Sequence, residues 1–113
     1  MKRGEVWEVN LDPTVGAEIK KIRPCVIVSR DALGRLPLTI VVPLTDWDPR
    51  FQTAQWHVPI ETTPDNGLPK KSSADTFQAR SISQQRLVRR LGFLSPDVME
   101  KIGEGLALSL ALH

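Results

Sequence analysis

The stretch "EIKKIRPCVIVSR", residues 18–30, opens as a charged, lysine-rich loop and runs through Arg23-Pro24 straight into Cys25-Val26-Ile27-Val28. Consecutive apolar residues bounded by charge suit a strand buried on both faces. Arg23 stands at the lip of that strand. An arginine there is either a structural anchor, paired to Asp46 or to a carbonyl, or a working group whose planar, permanently charged fork matches phosphate. A second apolar run, "TIVVPLT" (residues 39–45), ends in Thr45, whose hydroxyl can donate to a phosphate oxygen. If the two strands are antiparallel neighbours, the start of one meets the end of the other, and Arg23 and Thr45 converge.

Working outward, "EVWEV" (5–9) alternates, with Val6 and Glu8 on one side and Glu5, Trp7 and Val9 on the other. "QWHVPI" (55–60) alternates with Trp56, Val58 and Ile60 on one side, and its Pro59 suits a sheet edge. A weaker strand covers Ser73 to Arg80, and "RLVRRLG" (86–92) is a last short strand or a helical turn. Turn chemistry fills the gaps, notably "NLDPTVG" (10–16) and "TPDNGLPK" (63–70). At Ser95 the period changes: Ser95 is a good N-cap, Pro96 fits the first helical position and Asp97 complements the helix dipole. Val98, Ile102, Leu106 and Leu110 recur every four residues as an apolar stripe. The expected architecture is mainly β (α+β): a small, strongly bent antiparallel sheet or barrel closed by a C-terminal helix, with residues 1–113 forming one domain.

Composition bounds the function. Apolar residues make up 41% and charged residues 25%, a globular balance that excludes disorder. No run approaches 18 apolar residues, and Glu5 and Glu8 interrupt what would be the apolar part of a signal peptide, so no membrane role and a cytoplasmic location are expected. Net charge is +2, but residues 1–94 hold 14 Lys/Arg against 10 Asp/Glu, whereas residues 95–113 hold one against three. A basic body with clusters at Lys20-Lys21-Arg23 and Arg86-Arg89-Arg90 suits a polyanion, and solvated charge is the commoner explanation of any single cluster. The single cysteine, Cys25, sits in an apolar run, where a buried inert thiol is expected. One cysteine and two scattered histidines form no metal-ligand set, so neither metal nor cofactor is expected.

The remaining candidates divide into core and site. The strand pattern assigns Trp7 and Trp56 to the core and His57 to the surface. Trp47 lies in the polar loop "TDWDPRFQ" past a strand end, where it either packs on the loop or offers a platform for a stacked base.

The blocks "RGEVWEVNLDPTVGAE", "RPCVIVS", "VVPLT" and "FQARSISQQRL", followed by the C-terminal helix, resemble the MazF/PemK family of toxin endoribonucleases nearly end to end. The resemblance rests on Gly4, Trp7, Leu11, Pro13, Gly16, Glu18, Arg23-Pro24, Thr45, Gln78, Arg80 and Arg86-Leu87. It implies an SH3-like barrel with a C-terminal helix, a homodimer, and metal-independent cleavage of single-stranded RNA at short sequences. It implies that Arg23 and Thr45 are the catalytic pair. It implies also that the loop from about Asp12 to Ile22, with Thr14, Gly16, Glu18, Lys20 and Lys21, folds over the RNA and is displaced by a cognate antitoxin. Asp46, Trp47, Gln78 and Arg80 complete the expected RNA contacts. Where many members carry an acidic residue before the Gln of the "QxR" motif, this chain has Phe77; strand alternation would put Asp75 on the same face as a stand-in. Two other readings are a gyrase-poisoning toxin of the same fold, disfavoured by a C-terminal end "LALSLALH" without an aromatic, and a non-catalytic nucleic-acid-binding barrel.

Overall fold

The computed structural model describes residues 1–31 and 36–112. Seven strands, β1 (Glu5–Asn10), β2 (Ile22–Ile27), β3 (Leu38–Asp46), β4 (His57–Ile60), β5 (Ser72–Asp75), β6 (Arg80–Ser83) and β7 (Leu87–Phe93), precede one helix, α1 (Pro96–Leu110). All the pairings are antiparallel, in the order β4-β5-β3-β2-β1-β7 with β6 also on β3. The sheet is bent into a barrel-like shape with β4 and β7 as its ends, so the expected fold class holds.

Alternation along β1, β2 and β3 feeds two cores. Val6, Val26, Val28, Val42 and Leu44 point to the cluster that α1 covers with Met99 and Ile102. Val9, Cys25, Ile27 and Val41 point the other way, joining Leu11 and Ile82 in a second cluster. A strand that buries both faces must be apolar at successive positions, which is why β2 and β3 read as continuous runs. Trp7 is only half-buried at the second cluster, where its indole N–H donates to Glu5 Oε1 at 3.1 Å.

Two expected elements divide differently. The strand expected over Ser73 to Arg80 is two strands, β5 and β6, separated by a 3-10 turn at Thr76–Gln78. Both pair with β3, β6 through Leu38–Val41 and β5 through Leu44–Asp46, and the register shifts by three residues between them, the length of the turn. A local hydrogen bond drives the interruption: Asp75 caps the turn by accepting from the Phe77 N–H at 3.2 Å. The segment at residues 86–92 is the strand of its two expected alternatives, β7 from Leu87, with a 3-10 turn at Gln84–Arg86 leading into it.

Trp56 is a correction: it precedes β4, is 43% exposed and belongs to neither core, because the paired strand begins only at His57. Val58 and Ile60 are buried as expected.

The helix begins as its sequence dictates, with Ser95 Oγ accepting from the Val98 N–H at 3.3 Å and Pro96 in the first turn. The four-residue stripe drifts off the buried face, since each step of four turns the helix by about 40° beyond a full circle. Val98, Ile102 and Leu106 pack, whereas Leu110 is 61% exposed. Met99 and Gly105 complete the buried face. Gly105 has a packing reason: a Cβ there would lie 2.9 Å from Thr76 Cγ2. Thr76 cannot retreat freely, because its hydroxyl donates to the Trp56 carbonyl at 2.6 Å. At Gly103 an added Cβ would meet nothing within 4 Å.

Gly103→Ala should therefore stabilise the protein by about 0.5–1 kcal/mol through helix propensity alone. Gly105→Ala should destabilise it by about 1–3 kcal/mol through overpacking. Urea unfolding midpoints check the pair; similar shifts of one sign for both would refute the packing account.

Candidate active site

The ladders align polar residues across one face of the sheet. β1 sets Val9 opposite Arg23, β5 sets Ser73 opposite Thr45, and β4 sets Pro59 opposite Ser73. Between β2 and β3 the register runs through Cys25 opposite Pro43; continued two residues outward, it sets Arg23 opposite Thr45. Directly opposed residues on antiparallel strands share a face, with Cβ atoms about 4.5–5.5 Å apart. The register thus sets Arg23 and Thr45 opposite each other, on the face that carries Cys25 and Val41 of the second core.

The anchoring alternative for Arg23 can be weighed directly. Asp46 lies on the opposite face of β3 from Thr45 and pairs with Lys70 at 3.0 Å. Arg23 is half-buried, and its Nε donates to the Lys20 carbonyl at 3.4 Å, a long contact. Among the described residues it makes no ion pair. A permanently charged fork without a carboxylate partner, beside a hydroxyl, is suited to receive an anion.

Two residues along β3 from Thr45, Pro43 lines a cleft of about 490 Å³ that is walled by Glu18, Ile19, Phe77, Gln78 and Arg80. One wall is the β1–β2 loop, and side chains of the "FQARSISQQRL" segment hold it in place. Gln78 Oε1 accepts from the Ile19 N–H at 2.6 Å, while its Nε2 donates to the Ala17 carbonyl at 3.3 Å. Arg80 donates to the Leu11 carbonyl at 3.1 Å, and Arg86 donates to the carbonyls of Asn10, at 3.1 Å, and Asp12. Within the loop, Asp12 Oδ1 accepts from the Lys21 N–H and the Thr14 hydroxyl, and Glu18 accepts from the Val15 N–H. Gly16 and Lys21 adopt positive φ values of 60° and 69°, which the tight loop requires. Lys20 and Lys21 are left exposed on its rim.

The structure therefore brings Glu18, Gln78 and Arg80 into one cleft; Arg23 and Thr45 are opposed by the β2–β3 register and do not line that cleft. Thr14 and Gly16 sit farther out on the loop, and neither lines the cleft. Trp47 is half-buried, edge-on to Phe51 at 5.9 Å, with Lys71 Nζ 4.5 Å from its ring centre. That favours packing on its own loop.

His57 is a correction, and the residues around it were missed. Its side chain is 7% exposed, not on the surface, because the Phe51 ring stacks on it at 3.7 Å. The missing signal was the loop at Pro49–Thr53, a 3-10 turn that folds Phe51 back over β4. His57 Nδ1 meets Ser73 Oγ at 2.7 Å, and Nε2 lies 3.8 Å from Asp75 Oδ2. Burial lowers the His57 pKa below its ordinary 6.5, against the opposing pull of Asp75. The imidazole is thus neutral at pH 7.

Asp75 is itself buried, and its carboxylate accepts from the Phe77 N–H and from Gln78 Nε2, both at 3.2 Å, with His57 Nε2 3.8 Å away. It stands behind Gln78 as a support and does not line the cleft. Cys25 is fully buried, and burial pushes its thiol up to about 12. It is no nucleophile. Among the described residues no group of three His, Cys, Asp or Glu could hold a metal ion, and no helix is long and apolar enough to cross a membrane.

Known proteins resemble this chain in sequence and in fold. A family model described as PemK-like, MazF-like toxin of type II toxin-antitoxin system matches residues 2–110. Endoribonuclease MazF9 of Mycobacterium tuberculosis is 38% identical over 119 residues, covering 99% of this chain and 98% of its own length. Endoribonuclease EndoA of Bacillus subtilis is 32% identical over 112 residues, covering 99% and 96%. Among solved structures, MazF from Deinococcus radiodurans superposes with a TM-score of 0.83 at 20% identity, covering 99% of this chain and 97% of that one. An endoribonuclease from a mycobacterial species, in complex with its cognate antitoxin, superposes with a TM-score of 0.78 at 24% identity, covering 100% and 97%. With a match over nearly its whole length and relatives above 30% identity, the chain belongs to the PemK-like, MazF-like toxins of type II toxin-antitoxin systems.

Proposed function

We propose that this chain is an endoribonuclease toxin that cuts single-stranded RNA, mRNA above all, at short sequences, and so inhibits translation and growth. The observation that carries the reading is the β2–β3 register that opposes Arg23 to Thr45, two residues along β3 from Pro43, which lines the cleft walled by the clamped β1–β2 loop. RNA brings its own nucleophile. The 2′-OH attacks the adjacent phosphorus, the 2′-O–P bond forms and the P–O5′ bond breaks, leaving a 2′,3′-cyclic phosphate and a 5′-OH. The protein has to position the phosphate and stabilise the charge that grows on its oxygens. Arg23 engages the non-bridging oxygens with its fork, and Thr45 donates to one of them. Neither role calls for a metal ion.

The exposed Lys20 and Lys21 on the loop rim suit the RNA backbone, and equally an acidic, partly disordered antitoxin segment that gains order on binding. The toxin works in the cytoplasm, where mRNA is met. Leu38 and Ile40, 49% and 42% exposed on β3, and Leu36, 53% exposed beside them, form an apolar surface that a second copy of the chain covers in a homodimer.

Incubation of the protein with a long natural RNA in EDTA should give fragments with 2′,3′-cyclic phosphate ends; intact RNA would defeat the reading. Arg23→Ala should keep the fold, since Val26 and Ile27 hold the strand, and lower the cleavage rate by about 100- to 1000-fold. Arg23→Lys should recover little of that loss, because an ammonium lacks the planar fork. A single 2′-deoxy sugar at the cut site should leave binding intact and abolish cleavage. Light scattering at micromolar concentration should report a dimer, with the antitoxin and the deoxy-blocked RNA competing for it. A monomer, or antitoxin and RNA bound together, would remove those two parts of the account.

A further inference from the structure

Phe77 borders two concavities. On one side it walls the cleft with Gln78 and Arg80; on the other it walls a hollow of about 240 Å³ with Trp56, Leu108 and Ser109. Phe77 is 66% exposed, Trp56 43% and Leu108 41%. Single exposed apolar side chains are ordinary, but two aromatics and a leucine gathered beside a polar cleft mark a contact surface.

The two aromatics are held in a fixed relation. The Thr76 N–H and hydroxyl both donate to the Trp56 carbonyl, at 3.0 and 2.6 Å, which ties the residue before Phe77 to the backbone of Trp56. Thr76 Oγ1 also meets Ser109 Oγ at 3.1 Å, binding the turn to α1, and the Phe77 N–H is fixed on Asp75. The rings are therefore presented by a braced framework, which lowers the ordering cost of binding.

We propose that this hollow seats one nucleobase of the RNA strand as it runs out of the cleft, stacked against Phe77 and Trp56. The inference rests on the RNA-cleaving reading above. Three observations favour a base as the occupant. The hollow adjoins the cleft at Phe77, which lines both, so a strand leaving the cleft past Arg80 meets that ring first. Its walls are aromatic and apolar with one hydroxyl, Ser109, which gives its proton to Thr76 Oγ1 and can accept from a base edge. Its size is wrong for a protein interface on its own: stable interfaces engage about 20–30 residues a side, and four wall this hollow. Aromatic stacking is sequence-tolerant, so the base adds affinity while the cut sequence is set elsewhere.

The test is a set of RNAs carrying a 2′-deoxy sugar at the cut site, each with one flanking base replaced by an abasic unit, titrated against the dimeric protein. Stacking is worth about 1–3 kcal/mol per base, so in the unsubstituted protein one flanking position should weaken binding by about 5- to 150-fold when its base is removed. Phe77→Ala and Trp56→Ala should each weaken binding of the full RNA and lose sensitivity at that one position, while Phe77→Trp should retain it. Both side chains are exposed, so folding does not depend on them. Unchanged sensitivity in the Phe77→Ala protein would overturn the proposal. So would a loss of antitoxin affinity with RNA binding intact, which would assign the hollow to an antitoxin side chain, or a loss of the dimer, which would assign it to a second copy. If the unsubstituted protein cuts no RNA, the functional reading itself fails; normal cutting without the base-specific coupling removes this proposal alone.

Discussion

The rest of the structure depends on β3 changing partners at Val42 and Pro43. Along one edge it is paired to β6 as far as Val41 and to β5 from Leu44 onward, while β2 holds the other edge through Pro43. A proline has no N–H to donate, so it is at home where the ladder is interrupted. The interruption sends the chain out of the sheet between β5 and β6 as the turn at Thr76–Gln78, and so re-aims Phe77 and Gln78 out of the sheet. Pro43, left uncovered by a strand, becomes the floor of the cleft. One break in pairing thus creates the cavity, its floor and two of its walls.

The same break positions the loop. Gln78 reaches the loop backbone because the turn carries it clear of the sheet, and Asp75, held by the Phe77 N–H, fixes its amide from behind. Arg80 and Arg86 follow at either end of β6 and hold the start of the loop. Three long side chains from one short segment therefore set the wall against which an RNA strand would lie. The β2–β3 register independently sets Arg23 opposite Thr45, two residues along β3 from Pro43 of the cleft.

What the sequence could reveal followed from burial on two faces. The apolar runs at Cys25–Val28 and Thr39–Leu44 located β2 and β3, and their antiparallel pairing was enough to anticipate that Arg23 meets Thr45. Alternation located Val58 and Ile60 for the same reason. It misplaced His57 and Trp56 because it describes one strand at a time: the Phe51 ring that buries His57 comes from a loop with no period, and Trp56 lies just outside the paired segment. The break between β5 and β6 was invisible since Ser73 to Arg80 has no proline or glycine to mark it; an aspartate capping a three-residue turn makes it instead. Leu110 was assigned to the buried stripe by a spacing of four, and the true helical period carries it into solvent. The motif residues Gln78 and Arg80 were legible as important, yet only coordinates show that their hydrogen bonds go to the loop.

The central claim is that Arg23 and Thr45 act on one phosphate as a unit. Single-turnover cleavage by Arg23→Ala, Thr45→Val and the double variant, at saturating protein, tests it most directly, because groups that act together give strongly non-additive losses. The account predicts that the double variant is about as slow as the slower single variant. Losses that multiply, leaving the double variant slower by the product of the two single effects, would show two independent contributions and contradict it.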